Sequence, residues 1–493
     1  MPYEDLREFV EKLESEGELA RIKHEVSPVL EVTEIADRTV KMGGKALLFE
    51  NPKGYDIPIL INTFGTEKRM KMALEVDRME EIGERLVEMT KFRPSSLIEG
   101  IKGLSMVKDV MAFIPKRVKK GACKEVIMDE PSLKKFPILK CWPGDAGRFI
   151  TLPVVITRDP ETGELNAGMY RMQVFDEKTT GMHWQIHKHG ALHYRKLKEA
   201  GIDRLEVAVA IGVDPATLYA STAPLPEGLS EFMFAGFIRK ERVKVVDCET
   251  VDLQVPANAE IVLEGYVKLD EFRVEGPFGD HTGYYTPAEP YPVFHITAIT
   301  HRENPIYHTT VVGKPPMEDA WLGKATERIF LPILRMIHPE IVDINLPIEA
   351  AFHNLAIVSI KKRYPGHAKK VMFSLWGTGM LSLTKIVVVV DDDVNVHNMR
   401  EVLWAVTSRF DPARDVVIIP EAPTDSLDHS AYRQNLAGKL GIDATKKWRE
   451  EGYEREWPDA VEMSEDVKRR VDSIWDEIRG EVAVQGGSYN FKG

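Results

Sequence analysis

Between about Lys124 and Val312 the chain is written as short apolar runs broken by Gly and Pro, whereas the segments on either side carry apolar residues at helical spacing. That change of period constrains the fold more than any other feature, because alternating large residues build strands and a three-to-four spacing builds helices. In Leu205-Glu206-Val207-Ala208-Val209-Ala210-Ile211 the large apolar residues fall at every second position, and Gly212 ends the run. The middle of the chain is therefore expected to be rich in strands, with spacing suited to a barrel. At 493 residues the chain exceeds what one core serves, so two or three domains are expected.

On the amino-terminal side, Leu6, Phe9, Val10 and Leu13 predict a helix that stops near Gly17. Runs at 46–49 and 57–61 flank Pro52-Lys53-Gly54, which is turn chemistry between two strands, and helices are expected from there to about residue 115. Near Met317 the pattern turns helical again. Residues 386–390 form an apolar run ending in Asp391-Asp392-Asp393, which predicts a buried strand whose acids cap the next helix and face solvent. A helix through Met399, Val402, Leu403 and Val406 and a strand at 416–420 would complete a βαβ unit. Ser464 is a good N-cap for a last helix carrying Val467, Val471, Ile474, Trp475 and Ile478, a stripe suited to docking on the body or on another subunit.

Charge narrows the partners. A formal charge of -12 disfavours nucleic acid and anionic membrane, since both need a basic surface to displace counterions. Cys123, Cys141 and Cys248 lie far apart without a CxxC pair, so a cytoplasmic protein with neither disulfide framework nor thiolate zinc site is expected. The first residues lack the basic start and apolar stretch of a signal peptide, and no apolar run approaches a membrane span.

Three constellations could carry chemistry. In Glu275-Gly276-Pro277-Phe278-Gly279-Asp280-His281-Thr282-Gly283-Tyr284-Tyr285 two carboxylates bracket a turn, and glycines let backbone approach a ligand. If that pair is desolvated, one carboxyl can keep a proton and act as an acid while an arginine holds the other ionised; a glycine-rich hairpin with solvated acids fits the spacing too. Asn166-Ala167-Gly168-Met169-Tyr170-Arg171 is followed by a cluster holding four of the fourteen histidines, His183, His187, His189 and His193, within eleven residues. Imidazole together with an amide or carboxylate oxygen suits manganese or magnesium, although histidines also serve plain structural ends. In residues 224–236, Ser230 could cap a helix with Glu231 in its first turn, which is equally a favourable helix-start charge.

Taken in this order and spacing, the three segments resemble the UbiD family of prenylated-FMN-dependent decarboxylases. Residues 275–285 are similar to its acidic Gly-Pro-aromatic-Gly-acidic stretch, residues 166–171 to its Asn-x-Gly-x-Tyr-Arg stretch, and residues 229–236 to its Leu-Ser-Glu-x-x-Phe-Ala-Gly stretch. Gly441-Ile442-Asp443-Ala444-Thr445-Lys446-Lys447 is similar to its carboxy-terminal segment.

The resemblance implies a multidomain α/β and α+β fold: an amino-terminal α/β domain over 1–115, a central split β-barrel of flavin-reductase type over 116–315, a carboxy-terminal α/β domain over 316–455, and a helix and tail over 456–493 for a homodimer or homohexamer. It implies Asn166, His187 and Glu231 as ligands of Mn2+ or Mg2+, with His187 preferred over His183 and His189 because it lies three residues after Trp184. K+ is a further implied cation. Met169, Tyr170, Arg171, His183, Trp184, Gln185, Lys188 and His189 would line prenylated FMN, supplied by a separate flavin prenyltransferase. Lys188 and His189 depart from the Arg-Gly pair common in the quinone-biosynthesis branch. Arg171, Glu275 and Asp280 would be the catalytic trio, with Asp280 delivering the proton that replaces CO2. Substrates implied are a small-molecule carboxylic acid, either a polyprenyl-hydroxybenzoate-type aromatic acid or trans-anhydromevalonate phosphate. A conventional flavin-dependent oxidoreductase on the same barrel and a non-catalytic partner subunit are the competing classes.

Overall fold

Residues 2–91, 111–184, 194, 196, 201–225 and 229–482 are described by a computed structural model. The first helix, Leu6–Ser15, starts where the Asp5 side chain accepts from the Glu8 N–H, and Leu6, Phe9, Val10 and Leu13 are all buried. It leads into a four-stranded sheet of Leu19–Ile22, Ala46–Phe49, Ile59–Ile61 and Tyr307–His308, in that order. Ala46–Phe49 and Ile59–Ile61 pair antiparallel, as the turn chemistry predicts. The last strand comes from far along the chain, and one apolar cluster runs from Leu6 and Phe9 to Val154, Ala208 and Ile329. The amino-terminal sheet and the central sheet therefore share a core.

The central sheet has seven strands. In order these are Thr179–Gly181, Glu289–His301, Ile261–Glu275, Arg204–Ile211, Val154–Arg158 and Leu165–Met169, with Val126–Ile127 pairing on Glu289–His301. Leu205, Val207, Val209 and Ile211 are buried within one cluster, each worth about 1.5–3 kcal/mol in removed apolar surface. The sheet curls into a half-barrel. The register between Ile261–Glu275 and Glu289–His301 shifts at Glu264/Gly265, where a Cβ on Gly265 would sit 1.8 Å from the His295 carbonyl oxygen. Only glycine admits that approach, and such irregularities bend a strand. The chain then passes from one edge strand, Leu165–Met169, through Arg171 to the other, Thr179–Gly181, so residues 166–184 tie the two edges together.

The carboxy-terminal sheet has the order Ile341–Asn345, Leu355–Ile360, Ile386–Asp391, Leu436–Ala444, Val416–Pro423. Here the expected βαβ unit is corrected. The helix Met399–Arg409 does follow Ile386–Asp391, but the strand after it, Val416–Pro423, lies at the sheet edge and runs antiparallel to Leu436–Ala444. Its alternating half-exposed residues suit an edge, whereas the buried strand Ile386–Asp391 finds its parallel partners in Leu355–Ile360 and Leu436–Ala444. The helix His367–Trp376 makes the parallel crossover instead. The acids after residue 390 also differ from expectation. Asn398 caps the helix, and Asp391 is buried against Arg409 at 3.0 Å, with Asp393 on the same guanidinium at 2.9 Å.

Ser464 precedes the last helix, Glu465–Val482, whose Val467, Val471, Ile474 and Trp475 all stay exposed. The stripe is thus not docked on the described body. Among the described residues no helix is long and apolar enough to cross a membrane.

Candidate active site

Strand Ile261–Glu275 ends at Glu275, and the chain folds at once into a small hairpin of Phe278–Gly279 and Tyr285–Thr286 with Asp280 at its tip. The Asp280 N–H donates to the Tyr284 carbonyl and the Gly283 N–H to the Asp280 carbonyl, closing the turn. Gly279 is required here: a Cβ on it would meet the Trp142 ring at 2.3 Å, while its N–H donates to Asp145 at 2.8 Å. The hairpin is present as the motif allows, but its acids are not solvated. Glu275 is 1% exposed and Asp280 6%.

Arg171 compensates both. Its Nε donates to Glu275 Oε1 at 3.0 Å, its Nη1 to Asp280 Oδ2, and its Nη2 to Thr286 Oγ1 at 3.2 Å, with the guanidinium carbon 4.7 Å from the centre of the Phe278 ring. Two buried carboxylates sharing one fork-shaped cation keep a fixed spacing, because guanidinium geometry allows few alternatives.

His183 joins from two residues past the far edge strand, Thr179–Gly181. Its backbone N–H donates to the Arg171 carbonyl at 3.3 Å, and its ring packs against Tyr291 at a 30° tilt with centroids 4.1 Å apart. Burial, then the charge of Arg171, lowers the His183 pKa, so the ring is neutral and its Nδ1–H donates to Glu275 Oε1 at 2.8 Å. His183 thus serves the acid cluster. Glu275 Oε2 is buried without a hydrogen-bond partner among the described residues.

Asp280 has a second cationic neighbour that the motif displays but residue-type reasoning passed over. His281 donates to Asp280 Oδ1 from its backbone N–H at 2.7 Å and from ring Nδ1 at 2.9 Å. Burial opposes the charge on Asp280, yet Arg171 and the His281 donors outweigh it and hold the carboxyl well below the usual range. Burial likewise opposes the charge on His281, and Asp280, with Asp319 and Asp425 further off, raises it to about 8. The proton of this pair therefore sits on His281.

The metal-ligand candidates fall on two elements. Asn166 lies on the edge strand Leu165–Met169, and Glu231 opens the helix Glu231–Arg239, capped by Ser230 as expected. Glu231 Oε2 accepts the Ala167 N–H at 2.8 Å, which ties the carboxylate to the residue next to Asn166. Both side chains are buried, and Asn166 Nδ2 finds no partner among the described residues. Two buried side chains offering oxygen suit a hard divalent cation. His187, with Gln185, Lys188 and His189, lies outside the described residues, so this set is seen only through Asn166 and Glu231. Met169 ends that edge strand and Tyr170 and Arg171 follow it, whereas Trp184 follows the opposite edge strand, Thr179–Gly181, and its buried Nε1–H is also without a partner among the described residues. Buried polar groups are rarely left unmet, so these two open donors, Asn166 Nδ2 and Trp184 Nε1, fit a polar ligand that accepts from them.

Comparisons with known proteins agree with one another. Models of the 3-octaprenyl-4-hydroxybenzoate carboxy-lyase match three regions: its N-terminal domain over 10–86, its Rift-related domain over 116–315 and its C-terminal domain over 320–444. An uncharacterized protein of Archaeoglobus fulgidus is 79% identical, over 98% of this chain and 100% of its own length. Among solved structures, vanillic acid decarboxylase of Sedimentibacter hydroxybenzoicus in closed form is 30% identical with TM-score 0.84, covering 97% of this chain and all of its own. The UbiD-class enzyme HmfF of Pelotomaculum thermopropionicum in complex with FMN is 34% identical with TM-score 0.77, covering 92% and 97%. An evolved dimeric form of HmfF in complex with prFMN is 33% identical with TM-score 0.75, covering 94% and 99%.

Proposed function

We propose, from the premise that this chain belongs to the UbiD family of carboxy-lyases, that it is a non-oxidative, reversible decarboxylase of an unsaturated or aromatic acid. The observation that carries the reading is the Arg171 guanidinium held between buried Glu275 and Asp280. An ordinary flavin oxidoreductase has no use for such a trio. Relatives named for flavin complexes and for vanillic acid decarboxylation support the same class.

Prenylated FMN, when bound, supplies the electron sink for the bond to the departing CO2, which no amino-acid side chain offers. Met169, Tyr170, Arg171, His183 and Trp184 would line it, together with Gln185, Lys188 and His189; Asn166, His187 and Glu231 would hold Mn2+ or Mg2+ beside it. The curled central sheet supports a split barrel of flavin-reductase type, and the breaks between matched regions support domain limits near 115 and 315.

The chain's own residues position and protonate. Arg171 orients the substrate carboxylate, which brings a further negative charge beside Asp280 and draws on the same guanidinium. Both effects favour the neutral form of Asp280, so substrate entry prepares it to take a proton from His281 and pass it to the carbon that has lost CO2. Glu275, fixed by Arg171 and His183, keeps the guanidinium in place.

Candidate substrates remain a polyprenyl-hydroxybenzoate-type aromatic acid and trans-anhydromevalonate phosphate, in a cytoplasmic homodimer or homohexamer with prenylated flavin from a separate prenyltransferase. The uncovered stripe on Glu465–Val482 supports self-association, and a monomer by sedimentation at high concentration would end that part of the reading. The deciding experiment expresses the chain with a prenyl-flavin supply, identifies the bound cofactor by absorbance and mass, and screens acids for CO2 release. Nicotinamide turnover without CO2 would replace the reading with the oxidoreductase.

A further inference from the structure

His281 does more than pair with Asp280. Its Nε2 lies 2.9 Å from Nε2 of His353, so the two imidazoles meet nitrogen to nitrogen. His281 belongs to the hairpin of the central sheet, and His353 to the segment between Ile348–Ala350 and the strand Leu355–Ile360 of the carboxy-terminal sheet. An N···N contact this short needs one shared proton. With His281 charged, Nδ1–H donates to Asp280 and Nε2–H donates to a neutral His353. The Phe352 ring packs 5.5 Å from His281, and the His281 side chain keeps 13% exposure.

We propose that His281 and His353 form a two-imidazole relay that returns a proton to Asp280 in each turnover, drawing it from solvent at the seam between the central and carboxy-terminal sheets. The proposal rests on the decarboxylase reading. The proton count closes without an oxidant. His281 gives its Nδ1 proton to Asp280 Oδ1, and Asp280 gives a proton to the carbon that has lost CO2 and returns to carboxylate. His281, left neutral with its Nε2 proton held on His353, then regains one proton at Nδ1 from water that reaches its 13% exposed side chain. One carboxylate and one proton are consumed, and one CO2 and one C–H bond are formed.

The groups facing His281 make it a store for that proton. Asp280 adjoins it in the hairpin, Asp319 approaches from the start of the helix Asp319–Ile337, and Asp425 from the turn before Leu436–Ala444. Burial raises the Asp319 carboxyl to about 7, opposed by His281 and reinforced by Asp280, so this second acid shares protons with the pair near neutrality. Because the two rings come from different sheets, the relay is complete only where those sheets touch.

The test begins without cofactor, on the full chain labelled with 15N-histidine and titrated by NMR. Expected is a His281 titration near 8 that falls by about one unit in Asp280→Asn and changes shape in His353→Gln, since the glutamine amide can hold the contact but not a second proton. A His281 curve indifferent to both substitutions overturns the relay. With prenylated-FMN-loaded enzyme and vanillate as probe, His281→Gln is expected to lower kcat about ten- to a hundredfold with unchanged KM and to remove the alkaline limb of the pH profile; an unaltered profile also overturns it. If vanillate and every other acid fail with wild-type enzyme, the decarboxylase reading falls, while the titration still decides whether the two rings share a proton with Asp280.

Discussion

His183 Nδ1 lies 2.8 Å from Glu275 Oε1, across 92 residues of chain, and both side chains are almost wholly buried. The neutral imidazole is a donor that adds no charge, so Glu275 is steadied without competing with Arg171 for its counter-ion role. Replacing His183 by Leu keeps the packing against Tyr291 but deletes the donor. Loss of about 1–3 kcal/mol in urea unfolding is expected; unchanged stability would show that the bond contributes nothing.

Asp280→Asn keeps shape and removes the group that carries a proton. Decarboxylation should fall by about a hundredfold or more while flavin remains bound, measured as CO2 release against cofactor absorbance on the same sample. Retained turnover would reassign the proton donor and would favour a non-catalytic role for this carboxylate.

Stability should decline as pH rises through neutrality. His281 has a folded value of about 8 against an ordinary 6.5, so its contribution is whole below 6.5 and lost as pH passes about 8. Asp319, raised from 3.8 to about 7, adds a loss of the same sign, beginning above 3.8 and complete past about 7. Asp280 acts oppositely: its pKa is depressed, so its contribution is whole above 3.8 and lost as pH falls through its lowered folded value. Thermal unfolding of wild type should therefore show a lower Tm at pH 8 than at 6.5, with a shallower decline in Asp319→Asn. Equal slopes in the two proteins would remove Asp319 from the cluster.

Glu231→Gln keeps an oxygen to accept the Ala167 N–H but removes the charge a cation needs. Manganese affinity, measured by calorimetry, should weaken at least about tenfold with far-UV circular dichroism unchanged. Affinity equal to wild type would take Glu231 out of the ligand set.

Much of this was legible in the residues themselves. Period-two patterning placed the strand at 204–211, helical spacing placed Leu6–Ser15, and Ser230 announced the helix that carries Glu231, because each is a local relation between neighbours. The segment that holds Glu275 and Asp280 showed its turn and its acids. His281 stood in plain view beside Asp280, and a rule pairing each acid with its adjacent titratable residue would have found it.

Other relations have no local signal. His353 is one histidine in an ordinary stretch, 72 residues from His281, and only the docking of two sheets brings the rings together. The edge placement of Val416–Pro423 was likewise hidden, since strand order depends on which neighbours bury it and not on its own sequence. The motif could not say whether its acids were solvated. Sequence by itself determined which residues could form helices, strands and turns and which side chains carried chemistry, since those follow from backbone propensity and side-chain type over a few residues. Tertiary structure decided that Glu275 and Asp280 share Arg171 away from water and that the available proton rests on His281, because burial and charge proximity are properties of the packed chain.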